Sequence, residues 1–256
     1  MKTFTCIVPA YNEQEILPLT LPLIFESIQN IPGYKGRVLV VDNNSSDKTA
    51  DVAKSLGAEV VFEPYNQISK ARNCGGNACS EDDYLFFIDA DTFLNTDLLK
   101  KSLAALDSGR ICGGGTLLKM DGEKGKVITM LWTVISKVTN LAAGAYIFCL
   151  NEAFKGTGGF NEKIYAAEDV YFSAQLKKWG RRNGRLRFKI LSDCKIVTSD
   201  RKIRWYSHFQ IFKMLMILTI MPWRLKNRDK LGFWYGRPAP EDIKNESKEL
   251  KENNSQ

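Results

Sequence analysis

Residues 84–91 read YLFFIDAD. Tyr84, Leu85, Phe86, Phe87 and Ile88 offer no polar face to water, and then two carboxylates follow, Asp89 and Asp91, one residue apart. A short unbroken apolar run of this kind reads as a strand covered on both faces, the habit of strands in parallel sheets. Side chains two apart on a strand point the same way, so Asp89 and Asp91 can share one target. Two like charges at that spacing repel. A divalent cation bound to an anionic diphosphate removes the conflict, because Mg²⁺ and Mn²⁺ take oxygen ligands from one or two carboxylates, phosphate and water.

Working outward, the first half alternates strand and helix. FTCIVPA is a short strand, EQEILPLTLPLIFESIQ has helical periodicity with an irregular start at Pro18 and Pro22, and RVLVVDNN is a buried strand ending in a polar turn. SSDKTADVAKSLG reads as a helix with Ser46 as N-cap and Gly57 as its stop, and AEVVFE as a third strand. NQISKARNCGGNAC is a helix, NTDLLKKSLAALDSG another, capped by Asn95 or Thr96 and closed by Gly109, and ICGGGTLL is a fifth strand. Short connections between alternating elements predict a parallel sheet flanked by helices. The second half is less regular: a helix over 127–142, a strand near 145–150, a glycine-rich turn GTGGFNE, a helix AEDVYFSAQLKKWG, and short strands near 187–191 and 195–198.

In open α/β sheets ligands bind beyond the carboxyl ends of the strands. Glu13 follows strand one, Asp42 ends strand two, and Asp89 and Asp91 end strand four, so all reach one edge. With that placement, the order IVPAYNEQE, VVDNNSSDKT, ISKARNCGGNAC, FIDADT, GGFNE, AEDVYF resembles the family 2 glycosyltransferases, inverting enzymes of the GT-A fold, over roughly residues 3–200. The resemblance implies an α/β GT-A fold with a mostly parallel central sheet. It also implies a nucleotide-diphospho-sugar donor, a divalent metal (Mn²⁺ or Mg²⁺) and transfer, of a hexosyl group in the commonest case, to an acceptor hydroxyl with inversion.

The same resemblance implies roles for particular residues. Pro9, Ala10, Tyr11 and Glu13 match the loop holding base and ribose; Tyr11 can stack and Glu13 can accept from ribose hydroxyls. Asp42 matches the acid that takes hydrogen bonds from the base, although Asn43-Asn44-Ser45 stands where the family often has Asp-Gly-Ser. Lys70, Arg72 and Asn73 fall on the donor-binding helix, and Gly75 and Gly76 are either a close approach to ligand or a packing pair. Asp91 matches the metal ligand; Asp89, beside Ala90, matches a contact to ribose, sugar or metal-bound water. Gly158, Gly159, Phe160 and Glu162 match the acceptor-side loop. Glu168 and Asp169 match the acidic pair opening the acceptor-side helix, with Asp169 as the base that takes the acceptor proton. His208, the single histidine, matches a further metal ligand in some enzymes of this fold.

The 256 residues allow one large domain: 1–200 as the transferase unit (1–117 donor half, 118–200 acceptor half), 201–237 as a basic amphipathic helical extension, and 238–256 as a polar tail without apolar pattern. Net charge is +7, and residues 177–237 hold 17 Lys and Arg against three Asp and Glu. Residues 211–223 are too short to span a core that needs about 20 apolar residues, but their basic flanks suit a helix lying in a membrane interface, with contact over 201–230. Six cysteines without CxxC spacing and a start without a signal-peptide pattern point to a cytoplasmic protein with reduced thiols, peripheral to the membrane if anything. The absence of GxGxxG after strand one excludes a dinucleotide-binding dehydrogenase, and no nucleic-acid module is visible. The expected partners are a nucleotide sugar, UDP-linked first and GDP-linked second, and a glycan or lipid-linked acceptor. A polyprenyl-phosphate sugar transferase and a non-catalytic nucleotide-sugar binder at the membrane are the rival readings.

Overall fold

Tyr84–Ile88 forms the expected strand, and its alternate residues enter two different cores. Tyr84, Phe86 and Ile88 face one layer; Leu85 and Phe87 face the other. The computed structural model describes residues 1–120, 141, 142 and 144–199. The expected helix over 127–142 lies almost wholly outside the described residues, as do the segments 201–237 and 238–256 and with them His208.

The strands are β1 (Lys2–Ala10), β2 (Tyr34–Asp42), β3 (Glu59–Phe62), β4 (Tyr84–Ile88), β5 (Thr92–Phe93), β6 (Ile111–Met120), β7 (Tyr146–Leu150) and β8 (Arg187–Thr198). The helices are α1 (Leu17–Gln29), α2 (Thr49–Ser55), α3 (Ile68–Ala78), α4 (Thr96–Asp107), α5 (Asn151–Thr157) and α6 (Glu168–Arg182). One sheet has the order β3-β2-β1-β4-β7-β6-β8-β5. Its first four strands are mutually parallel, as the alternation predicts. β7 then runs antiparallel to both its neighbours, and β6 pairs with β8 in parallel.

Helices cover both faces. Leu17, Leu21 and Ile24 of α1 and Leu98, Leu99 and Leu103 of α4 pack with Phe4, Val8 and Phe86 on one side. Ala71 of α3, Phe154 of α5, and Phe172 and Leu176 of α6 pack with Ile7, Leu39, Val41 and Phe87 on the other. Covering both faces is what lets these strands be apolar along their length.

Local chemistry sets the helix ends. Pro18 falls in the first turn of α1, where a missing N–H costs nothing, and the Glu13 carbonyl accepts from Ile16 N and Leu17 N at 3.1 Å. Asn95 caps α4, its Oδ1 accepting from Leu98 N at 2.9 Å. Ser46 is not the cap of α2: the N-cap position is Lys48, Asp47 Oδ1 takes the Thr49 N–H at 2.9 Å, and the Ser46 amide is spent on Asn12 Oδ1 at 2.8 Å. The two short strands expected near 187–191 and 195–198 are one strand, β8, with a register shift opposite Thr116 and Leu117 that absorbs the extra residues.

Candidate active site

Parallel pairing brings the ends of β1, β2 and β4 to one edge. Ala10 pairs with Asp42, and Ile7 with Phe87, which puts Ala10 level with Ala90. The loops beyond are stitched together. Asn12, in the left-handed region at φ 52, donates its N–H to Ser45 Oγ at 3.0 Å, and Glu13 N donates to Thr49 Oγ1 at 2.8 Å. Glu13 is buried, Tyr11 half-buried, and the buried Asp42 accepts from Ser45 N at 3.1 Å. Thr20 Oγ1 donates to the Ala90 carbonyl at 2.8 Å, tying α1 to the turn that holds the acid pair.

Asp89 continues the alternation of Leu85 and Phe87 onto the face of α3 and α6. There it meets Arg72, whose side chain is only 1% exposed. The guanidinium donates from Nη2 to Asp89 Oδ1 at 2.7 Å and to the Gly144 carbonyl at 3.0 Å, and from Nη1 to Glu168 Oε1 at 2.7 Å. Its Nε has no hydrogen-bond partner among the described residues. Asp169 adjoins the same group: a Cβ placed on Gly144 would lie 3.0 Å from Arg72 Nη2 and 3.2 Å from Asp169 Oδ2. Arg72, Asp89, Glu168 and Asp169, from three separate stretches of chain, therefore form one cluster.

One cation faces three carboxylates there, with Arg72 and Glu168 buried and Asp89 and Asp169 half-buried. Burial pushes the Glu168 carboxyl up to about 7, with Arg72 opposing and Asp169 and Asp89 reinforcing the rise. Burial likewise raises Asp169, and Arg72 and the amides of Val170 and Gly144 hold it back.

Asp91 is buried, accepts from Thr198 Oγ1 at 3.4 Å, and receives the Ser199 N–H on its backbone carbonyl at 3.1 Å. The end of β8 thus lies beside the acid pair, a neighbour with no signal in the sequence. The donor set fits a hard divalent ion. It is all oxygen: the Asp91 carboxylate, which accepts from the Thr198 hydroxyl at 3.4 Å, and the Asp89 carboxylate, one oxygen of which accepts from Arg72. No group of three or more His, Cys, Asp or Glu able to hold a metal occurs among the described residues.

The other expected site residues divide. Lys70 stands 3.7 Å from the centroid of the exposed Tyr65 ring, near the strand ends. Asn73 is engaged elsewhere: its Nδ2 donates to the Phe160 carbonyl at 2.9 Å and Glu162 Oε1 at 2.8 Å, and its Oδ1 accepts from Phe160 N at 2.7 Å. Gly75 and Gly76 are the packing pair, abutting Ile7 and Val41 and the Phe154 ring, and do not face the edge. Gly158 ends α5 in the left-handed region, and Gly159 follows at φ 76, pressed against Asn73. Phe160 is a core anchor with ring centroids 4.1 Å from Phe172 and 4.9 Å from Phe87. Sequence reasoning missed Gln67, whose Nε2 donates to the carbonyls of Glu162 and Ile164 at 2.8 and 3.0 Å; its one signal was a polar residue opening an otherwise small-residue helix.

A family model described as glycosyl transferase family 2 matches residues 5–148, more than half of the 256-residue chain. The chain belongs to the family 2 glycosyltransferases. An uncharacterized glycosyltransferase of Mycobacterium bovis is 41% identical over 105 residues, 41% of this chain and 44% of that protein. The poly(ribitol-phosphate) beta-N-acetylglucosaminyltransferase TarS of Staphylococcus aureus is 25% identical over 186 residues, 69% of this chain but 30% of its own length. The glycosyltransferase thus spans less than half of these curated relatives. Among solved structures, the mannosyltransferase PcManGT of Pyrobaculum calidifontis, in complex with GDP-Man and Mn²⁺, superposes with a TM-score of 0.63 at 20% identity, covering 76% of this chain and 56% of that one. TarS 1-349 of S. aureus in complex with UDP-GlcNAc gives 0.58 at 22% identity, covering 78% and 58%. At such identities these likenesses show the GT-A fold.

Proposed function

We propose that this glycosyltransferase moves a sugar from a nucleotide-diphospho-sugar to a hydroxyl of a glycan or lipid-linked acceptor, inverting the anomeric carbon, with Asp169 as general base and Asp91 as ligand of a divalent ion. The observation that carries this reading is the cluster at the carboxyl edge: a buried Arg72 joins Asp89, at the end of β4, to Glu168 and Asp169, at the start of α6. The ligands named for the structural relatives, GDP-Man with Mn²⁺ and UDP-GlcNAc, support a nucleotide-sugar donor.

Each residue then has a physical task. Tyr11 offers a stacking surface, Asp42 accepts from the base and Glu13 from ribose. A bound metal supplies Lewis-acid stabilisation of the leaving diphosphate. Asp169 takes the proton from the acceptor hydroxyl as its oxygen forms the new bond to the anomeric carbon. The bond to diphosphate breaks on the opposite face, and its electron pair leaves with the nucleotide. Burial raises the Asp169 carboxyl, so it binds that proton more readily than an ordinary aspartate, and Arg72 opposes the rise. Displacement from one side by the acceptor itself inverts the centre.

The test is a thermal-shift screen of UDP-, GDP- and dTDP-sugars with and without Mn²⁺, followed by donor turnover with the hits. A ligand at about 100 times its Kd adds about 2.7 kcal/mol to apparent stability. One nucleotide series should stabilise the protein, more strongly with the metal, and its sugar should be released or transferred. Stabilisation by none of them would refute the reading.

A further inference from the structure

We infer that helix α3 is the template that positions Asp169, and that Gln67, Arg72 and Asn73 are positioning residues for the reaction and not donor contacts. The inference rests on the base assigned to Asp169 above and extends it to side chains one helix away.

The stretch between α5 and α6 delivers Asp169 yet has little structure of its own. Its local bonds are short-range turns, Lys163 N to Asn161 Oδ1 at 3.0 Å and Ile164 N to the Asn161 carbonyl at 3.4 Å, and it enters α6 through Ala167 in the left-handed region at φ 60. A segment without a ladder takes its path from whatever satisfies its backbone groups. Here α3 and Gln67, the residue at its N-cap, do so at four backbone groups. Asn73 pairs with both the N–H and the carbonyl of Phe160. Gln67 holds the carbonyls of Glu162 and Ile164. Arg72 holds Glu168, the residue before the base. Gly159 is fitted to this clasp, since a side chain there would strike Asn73 Oδ1.

The same bonds leave these residues little to offer a ligand. Both Nδ2 hydrogens of Asn73 and both Nε2 hydrogens of Gln67 are used, and both side chains are buried. Arg72 is buried, and its two Nη atoms, though not its Nε, are divided between Asp89, Glu168 and the Gly144 carbonyl. It therefore ties the acid pair on the donor side to the helix that carries the base.

The experiment compares Asn73→Ala, Asn73→Asp and Gln67→Ala with the full wild-type chain. Three quantities are read: kcat for transfer, affinity for UDP or GDP with Mn²⁺ by calorimetry, and hydrogen exchange over residues 158–169. A displacement of about 1 Å at a reacting group costs on the order of a hundredfold in rate, so Asn73→Ala should lower kcat about tenfold to a hundredfold. Nucleotide affinity should stay within about twofold, the pattern of an interaction that does not bind the ground state. Exchange should rise across 158–169 and not in β1 to β4. Asn73→Asp keeps the acceptor for Phe160 N but turns an anionic oxygen toward the Phe160 carbonyl and the Glu162 carboxylate, so it should be at least as severe as Asn73→Ala. Loss of nucleotide affinity equal to the loss of kcat/KM would make these donor contacts and overturn the inference, as would unchanged kcat or unchanged local exchange. Should Asn73→Ala unfold, Gln67→Ala decides by the same criteria. A wild-type chain inactive on every donor would sink the proposed function, whereas the exchange result would still decide whether α3 holds the loop.

Discussion

Arg72 is a full charge with 1% of its side chain exposed, and burying such a group is tolerated only because carboxylates surround it. Removing it would leave Asp89, Glu168 and Asp169 facing one another without the positive charge that now lies among them. Arg72→Met should therefore destabilise the fold by about 3–5 kcal/mol, as breaking one partner of a buried pair does, measured by urea unfolding. Glu168 gives a pH signature with a definite sign. Its carboxyl is raised from 4.5 to about 7, so the unfolded chain ionises before the folded one. Its favourable contribution is complete below pH 4.5 and is lost as pH rises through 7. Glu168→Gln should flatten the fall in melting temperature between those values; an unchanged profile would mean that another group titrates. Asp91→Asn should abolish the extra thermal stabilisation that Mn²⁺ gives a bound nucleotide while leaving the metal-free shift in place.

At the scale of elements, what could be read from the chain was whatever local pattern encodes. The apolar run of β4, the alternation of β1 to β3 with helices, and the Asn95 cap carry their signals within a few residues. Asn95→Ala should cost about 1 kcal/mol of stability, the usual value of an N-cap, seen as a lower denaturant midpoint with an unchanged slope. α5 escaped because its seven residues give too little periodicity, and β5, with two, has none. The packing role of Gly76 was equally hidden, because it depends on Phe154, which a distant stretch of chain brings in. Gly76→Ala should press a methyl group into that ring and destabilise by about 1–3 kcal/mol, the cost of overpacking a filled core.

At the scale of the molecule, the sheet joins two halves of different grammar. The strands β3, β2, β1 and β4 run parallel and bring Glu13, Asp42, Asp89 and Asp91 to one edge, which the chain order alone predicted. The reversal at β7 was not legible, because strand direction there is decided by pairing with β4 and β6 and not by composition. Nor was the convergence of Arg72 with Glu168, 96 residues apart: the charges were visible, their meeting was not. Among the described residues no helix is long and apolar enough to cross a membrane. The most direct measurement is the turnover of wild type and Asp169→Asn with the nucleotide sugar that binds best, alongside the affinity of each for the nucleotide. Loss of a positioned base should reduce kcat by about 10²- to 10⁴-fold with nucleotide affinity retained. Near-wild-type transfer by Asp169→Asn would contradict its assignment as the base.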